Sequence, residues 1–258
     1  MNRRIWLYRV ILLLAITAVW QFASDRSNMM RFFLGSPLEV ARVIVDWFVS
    51  GLIYEHLAIT LVETLLAFSI GTGLALILGL WLALDRFWSG VFDPFIKGVN
   101  TMPRLILAPI FSVWFGLGIW SKVALGVTIV FFIVFFNVYQ GVKEVSPVLL
   151  ANVRMLGANR AQLIRRVYIP SAMSWVFSSL HLSVGMAFVG AVIGEYLGSA
   201  AGVGYLILQA ESTFEINTVI AGILVLTGFA LALDYGVSLV ESAAIGRARP
   251  EAPDARPA

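Results

Sequence analysis

The chain has 258 residues, a mean hydropathy of +0.90 and only 13% charged residues, whereas soluble domains contain about a quarter. Apolar runs long enough to cross a bilayer recur along it, which predicts a polytopic membrane protein and excludes an ordinary soluble domain. There is no cysteine and there are two histidines, so neither a disulfide framework nor a zinc cluster is expected.

Six apolar segments predict an all-α fold with about six transmembrane helices. They cover residues 6–22, 57–84, 94–117, 123–142, 171–197 and 218–240. The first could instead be a cleaved signal peptide, because it has a basic start and an apolar middle. It lacks a clear small-x-small cleavage site, however, and Trp20 and Phe22 suit the interfacial belt of a retained helix.

The third segment is the doubtful crossing, because Pro103 and Pro109 interrupt it. If all six segments cross, thirteen lysines and arginines lie on one side and four on the other, with Arg104 inside the segment. If the third does not cross, the best division is eleven against seven. The positive-inside rule favours the first arrangement, with both termini cytoplasmic and a broken third helix. The four residues expected outside are Arg26, Arg31, Arg42 and Lys122.

This topology divides the chain into four parts. Residues 1–23 form the N-terminal transmembrane helix and 24–56 an external segment, in which Ser36-Pro37 begins a short amphipathic helix at the membrane surface. Residues 57–243 form one transmembrane domain, and the Pro/Ala-rich residues 244–258 form a disordered cytoplasmic tail.

Residues 144–169 form the longest polar stretch in the middle of the chain, and their sequence predicts two short helices joined by a sharp turn. Ser146-Pro147 is a helix start, and Gly157 is placed to end that helix. Asn159 can cap the next helix, with Gln162 in the capping-box position.

Two interpretations of this loop remain open on its residues alone. Its arginines could contact anionic lipid headgroups. The apolar side chains on both faces of the turn could instead form a ridge that fits a groove on a cytoplasmic partner.

The segment EVSPVLLANVRMLGANRAQLIRRVYIP resembles the cytoplasmic EAA loop of inner-membrane permease subunits of ABC importers. Gly157 matches the family glycine and Ile169-Pro170 the end of the pattern, while Ala151-Asn152-Val153 stands where EAA is usual, so the glutamate is missing. Further resemblance lies in LAPIFSVWFGLGIWSK, GVKEVSP, GEYLGSAAGVGYLI and AGILVLTGFALALD. These segments look like those of the permeases for nitrate, sulfonates and taurine.

The resemblance implies a type I ABC importer permease in a bacterial inner membrane, acting by alternating access. A second permease copy, two ATPase subunits and a periplasmic or lipid-anchored binding protein are the implied partners, besides membrane lipids. No nucleic acid is expected. The implied solute is a small organic or inorganic molecule, such as a sulfonate, taurine or nitrate. The residues that would couple to the ATPase are Ala151, Asn152, Val153, Arg154, Leu156, Gly157, Ala158, Arg160, Leu163 and Pro170.

The chain has no GxxxxGK[ST] phosphate loop, so it is not expected to be an enzyme. ATP and magnesium are expected on the partner ATPase, and no cofactor or metal on this chain. An ATP-independent secondary transporter or channel is the alternative, although no inverted repeat supports it. A membrane-embedded hydrolase is disfavoured, because the two histidines offer no placed base or metal cluster.

Polar residues inside membrane segments are costly and are usually paired or functional. Glu63, Asn137, His181 and Glu195 are therefore candidates for the translocation pathway. Relatives often have arginine where Glu63 and His181 stand, and acids where Glu195 and Asp234 stand. For His181, a hydrogen bond between helices is the favoured alternative to a pathway role.

Overall fold

The computed structural model describes residues 3–246, with side chains at 4–173, 175–176 and 179–239. All regular elements in this part of the chain are helical, which confirms the predicted all-α class. The α-helices are α1 (Arg3–Ser24), α2 (Asn28–Leu34), α3 (Pro37–Ser50), α4 (Leu52–Leu84), α5 (Arg86–Asn100), α6 (Ala108–Phe115), α7 (Ile119–Lys143), α8 (Pro147–Met155), α9 (Arg160–Leu163), α10 (Ile169–Leu197), α11 (Val203–Ser212) and α12 (Ile216–Gly246). A 3₁₀-helix covers Arg104–Leu107 and a π-helix covers Ile164–Tyr168.

Five of the described helices contain segments long and apolar enough to cross a membrane. These segments are Arg4–Asp25, Leu52–Leu84, Ile119–Lys143, Ser179–Leu197 and Ile216–Leu239. They correspond to the first, second, fourth, fifth and sixth segments predicted from the sequence.

The third predicted segment is broken, as its prolines indicate. Pro94 lies inside α5, which ends at Asn100, and the 3₁₀-helix and α6 follow Pro103. The apolar helical piece that remains, Arg104–Phe115, is shorter than a spanning helix. The structure therefore differs from six uninterrupted helices, and the sixth crossing stays a prediction.

The described residues form two compact units. The first comprises residues 3–67, 103–126 and 188–228, and the second comprises 68–102, 127–187 and 229–246.

In the first unit, the segment between α1 and α4 is held to α1 and to α12 at the turn between α2 and α3. Ser24 Oγ donates a hydrogen bond to the carbonyl oxygen of Gly35, at 2.5 Å. The Ser36 backbone N–H donates to Asn217 Oδ1 at 2.8 Å, and Asn217 Nδ2 donates to Glu39 Oε2 at 2.6 Å. The predicted helix after Ser36-Pro37 is present as α3, whereas α2 was not predicted.

In the second unit, glycines allow α4 and α7 to approach closely. A Cβ atom on Gly71 would lie 2.9 Å from Val130 Cβ, and one on Gly79 would lie 3.0 Å from Val138 Cγ1. Both positions therefore allow the two helices to pack closely. The predicted tail lies outside the described residues from residue 247 onward, as do Arg247, Arg249 and Arg256, which contributed to the topology prediction.

Candidate functional site

The loop of residues 144–169 contains the two short helices and the turn predicted for it. α8 starts after Ser146 with Pro147 in its first turn, although the Ser146 side chain makes no capping bond. The chain then turns through Gly157, whose φ of +81° lies in the region that favours glycine. The Gly157 N–H donates to the Arg154 carbonyl at 2.9 Å, and the Ala158 N–H donates to the Val153 carbonyl at 3.3 Å. These bonds satisfy the last carbonyl groups of α8.

The predicted capping box is present at the start of α9. Asn159 Oδ1 accepts a hydrogen bond from the Gln162 N–H at 2.9 Å, and Gln162 Oε1 accepts one from the Asn159 N–H, also at 2.9 Å. From there the chain is helical without interruption through the π-helix to the end of α10. The turn is thus joined directly to a helix that includes a membrane-spanning segment.

One face of the loop packs against its own hydrophobic cluster. Val145, Leu163 and Val167 are buried, and Leu150, Val153, Ala158 and Tyr168 pack against them. This cluster joins the residues before α8 to those after α9, so the turn between them has a fixed base.

The opposite face presents an apolar ridge to the surroundings. Met155 is 79% exposed and Leu156 is 86% exposed, so two large apolar side chains of the turn are left uncovered. Leu156 was predicted as a coupling residue and Met155 was not. Met155 could have been identified in the sequence from its position next to Leu156, before the glycine.

The remaining predicted loop residues are divided between the two faces. Ala151, Asn152 and Pro170 are exposed. Arg154 and Arg160 are also exposed, and they line a cleft of about 450 Å³ whose wall includes Ala83 and Leu84 at the end of α4. The loop therefore carries an apolar ridge flanked by guanidinium groups.

The four intramembrane candidates do not form one site. Asn137 Nδ2 donates to the Ile133 carbonyl of its own helix at 2.8 Å. His181 Nε2 lies 2.8 Å from Asp234 Oδ1, which joins α10 to α12 and supports the interhelical alternative for this histidine.

Glu63 and Glu195 are brought together in the first unit. Their side chains interact with each other and with Lys122. Glu63 is 1% exposed, Glu195 0% and Lys122 1%. Since all three are enclosed by neighbouring helices, neither carboxyl group lines an open surface of the chain. Lys122 was not among the predicted site residues.

Comparison with known proteins identifies the family. Residues 71–245 match the family described as the inner membrane component of binding-protein-dependent transport systems. The chain is 30% identical over 236 residues to the putative aliphatic sulfonates transport permease protein SsuC of Bacillus subtilis, covering 92% of this chain and 86% of the relative. It is 33% identical over 218 residues to the formylaminopyrimidine transport permease protein ThiX of Halalkalibacterium halodurans, covering 83% of this chain and 85% of that relative.

A solved structure supports the fold. The crystal structure of an amino acid ABC transporter with histidines aligns with a TM-score of 0.62 at 18% identity, covering 77% of this chain and 94% of that one. At this identity the likeness concerns the fold alone. Together with the family match over residues 71–245, it leads to one assignment: the chain belongs to the inner membrane components of binding-protein-dependent transport systems, as a permease subunit of an ABC importer.

Proposed function

We propose that the loop of residues 144–169 is the element through which a separate ATPase drives this permease. The observation that carries the proposal is the Met155–Leu156 ridge, which is exposed on a turn whose other face is packed and capped. Exposed apolar side chains on a rigid knob are suited to a groove on another protein. A loop that only contacted lipid headgroups would not need this geometry.

The mechanism follows from the helical continuity between the turn and the membrane. Closure of two ATPase subunits around ATP displaces the ridge, and the uninterrupted helical stretch of residues 160–197 carries that displacement into the bilayer. Rigid elements of this kind convert a local displacement into a change between two packed arrangements. The solute site is then open first to one side of the membrane and afterwards to the other.

Gly157 provides the test of this coupling. The variant Gly157→Val puts a β-branched residue at a φ of +81°, which is strained although no atom lies within 4 Å of the added Cβ. We expect the purified complex to lose stimulation of ATP hydrolysis by its binding protein, together with solute uptake. The matched control is Gly157→Asn, because asparagine tolerates this conformation, and it should retain most of both activities.

Normal uptake in the Gly157→Val variant would contradict the proposal. Equal loss in the Gly157→Asn variant would show that the effect does not depend on the turn conformation.

The proposed assembly contains two copies of this chain, two ATPase subunits and a substrate-binding protein on the opposite side of the membrane. Gentle affinity purification from the native membrane, followed by native mass spectrometry, tests it. We expect a P-loop ATPase at one copy per permease, lost when Met155 and Leu156 are both changed to serine. A homo-oligomer without an ATPase would contradict the assembly.

The proposed solute is a small organic or inorganic molecule of the sulfonate, taurine or nitrate type. The support is the similarity to SsuC and to the taurine transport system permease protein TauC of Escherichia coli, which is 26% identical over 234 residues. Identification of the ligand released from the co-purified binding protein tests this class. A sugar or an inorganic cation would contradict it.

A further inference from the structure

The first turn of α11 obtains its capping bonds from other helices. Gly202 stands at the N-cap position, where it offers no side chain to accept bonds from the free N–H groups of the turn. Three consecutive backbone N–H groups, those of Gly202, Val203 and Gly204, nevertheless have acceptors on α4 and α10.

Glu195 and Thr60 supply the central bonds of this arrangement. The Gly204 N–H donates to Glu195 Oε2 at 2.7 Å, and the Val203 N–H donates to Thr60 Oγ1 at 3.3 Å. Thr60 Oγ1 in turn donates to Glu195 Oε1 at 2.6 Å. Both carboxylate oxygens are therefore used, and both side chains are fully buried.

His56 completes the contact from α4. The Gly202 N–H donates to His56 Nδ1 at 3.0 Å, and the imidazole ring stacks on Tyr205 of α11 with 6.4 Å between ring centres. One turn of α4 thus contacts α11 through two side chains, at positions 56 and 60.

The packing around the Glu195 carboxylate leaves no room for a side chain at position 202 or 204. A Cβ on Gly202 would lie 2.2 Å from Glu195 Cδ, and one on Gly204 would lie 2.8 Å from Glu195 Cβ. Glycine at both positions is what allows the backbone of α11 to reach the carboxylate.

Glu63 is adjacent and reaches α11 only through Glu195, with which it shares a side-chain hydrogen bond. Its Oε2 atom has no hydrogen-bond partner, and its interactions are with Glu195 and Lys122. The Lys122 ammonium donates to the carbonyls of Leu117 and Gly118, at 2.5 and 3.0 Å, at the start of its own helix. Glu63→Gln keeps a hydrogen-bonding side chain beside Glu195 and changes no bond to the α11 backbone, so it serves as a control of the same residue type and burial.

We propose that Glu195 is a positioning residue that fixes α11 to α10 and α4, so that α11 moves as one body with the end of the helix driven by the ATPase. The inference rests on the proposed function, because α10 is connected to the coupling loop at one end and carries Glu195 near the other. Thr60 and His56 hold the same contact from α4. The topology predicted from the sequence has this contact on the outside of the membrane, where solute is delivered.

The first experiment measures the contact without requiring transport. Hydrogen–deuterium exchange of the full chain in lipid nanodiscs is followed in peptides covering residues 202–212. Thr60→Val removes the hydroxyl, so Val203 loses its acceptor and Glu195 loses a donor. Thr60→Ser keeps the hydroxyl and serves as the rescue variant.

We expect exchange in these peptides to rise roughly tenfold in Thr60→Val, the effect of losing about one buried hydrogen bond, and to stay near wild type in Thr60→Ser. Glu195→Gln should also raise exchange, because the new side chain has only one acceptor oxygen. Its NH₂ group faces either the Gly204 N–H, which then has no acceptor, or Thr60 Oγ1, whose hydroxyl must then turn away from it. Glu63→Gln should not raise exchange. The comparison of Glu195→Gln with Glu63→Gln keeps the test decisive if Thr60→Val fails to fold.

The second experiment asks whether the contact transmits movement. In the complex with its ATPase and binding protein, we expect Thr60→Val and Glu195→Gln to hydrolyse ATP normally but to transport several-fold less solute per ATP. Glu63→Gln and Thr60→Ser should transport as much solute per ATP hydrolysed as the wild type. A merely structural role would lower both activities together through loss of folded protein.

The outcomes separate this inference from the proposed function. Wild-type exchange in both Thr60→Val and Glu195→Gln would overturn the contact, and raised exchange with an unchanged transport ratio would overturn the positioning role. Failure of the ATPase to associate with the unaltered chain would instead refute the proposed function, whatever the exchange result.

Discussion

At the scale of single residues, Gly202 is the position where a small change should have the largest effect. Its φ is +103°, and an added Cβ would overlap the Glu195 carboxyl group. We expect Gly202→Ala to lower the free energy of unfolding by about 1–3 kcal/mol, from the backbone strain alone.

Thermal unfolding of the purified chain in detergent measures the effect of Gly202→Ala. The control is Gly73→Ala in α4, where no atom lies within 4 Å of the added Cβ and φ is ordinary for a helix. This variant should change stability by less than about 1 kcal/mol. Equal loss at both glycines would contradict the close approach of Gly202 to Glu195.

His181 has two interpretations, a hydrogen bond between helices and a role in the solute pathway. Its contact with Asp234 allows an experiment to separate them. A double-mutant cycle with His181→Ala and Asp234→Ala should give a coupling energy of about 0.6 kcal/mol, and up to about 1.7, as for other polar contacts between membrane helices. The measurement is thermal stability in nanodiscs. A coupling energy near zero, together with reduced uptake in His181→Ala, would favour a role in the solute pathway instead.

At the scale of elements, the capping box determines whether the short helix α9 forms. Asn159→Ala removes the acceptor for the Gln162 N–H and should cost about 1 kcal/mol. We expect faster hydrogen exchange in residues 160–163 and weaker stimulation of the ATPase. Asn159→Ser retains a capping oxygen and should behave like the unaltered chain. Unchanged exchange in Asn159→Ala would indicate that the hydrophobic base alone holds the helix.

Elements determined by local chemistry could be predicted from the sequence. The glycine stop at Gly157, the Asn159–Gln162 capping box and the proline-marked starts of α3 and α8 depend on residues within a few positions of one another. The second predicted span ends at residue 84, where α4 ends and Asp85 caps α5.

Features that depend on distant residues could not be predicted in this way. Glu195 was recognised as an intramembrane acid, but its bonds to Gly204 and to Thr60, which lies 135 positions earlier in the chain, arise only when α4, α10 and α11 pack together. Lys122 was assigned to the outside from its place between the third and fourth segments, but its burial, with the ammonium bonded to backbone carbonyls, was not predicted. The spacing of apolar residues along the sequence does not indicate contacts between residues so far apart in the chain.

At the scale of the whole molecule, the path of the broken third segment determines the topology. The chain has no cysteine, so single cysteines introduced by substitution can be labelled without a background. If this segment crosses, a membrane-impermeant maleimide added to spheroplasts should label Gly118→Cys and spare Lys97→Cys until the membrane is opened. Labelling of both from the same side would exclude the crossing, and with it the preferred charge distribution.

The π-helix of Ile164–Tyr168 has a consequence for the direction in which the loop faces. A π-turn contains one residue more than an α-turn, and each residue of an α-helix advances the azimuth by about 100°. That extra residue is absorbed within the turn, because a π-turn completes its rotation with about one residue more than an α-turn. Deleting one residue there would therefore restore an α-turn and leave Met155 and Leu156 facing nearly the same way. Deleting one residue from the α-helical part of α10 would instead rotate the ridge by about 100° around the helix axis.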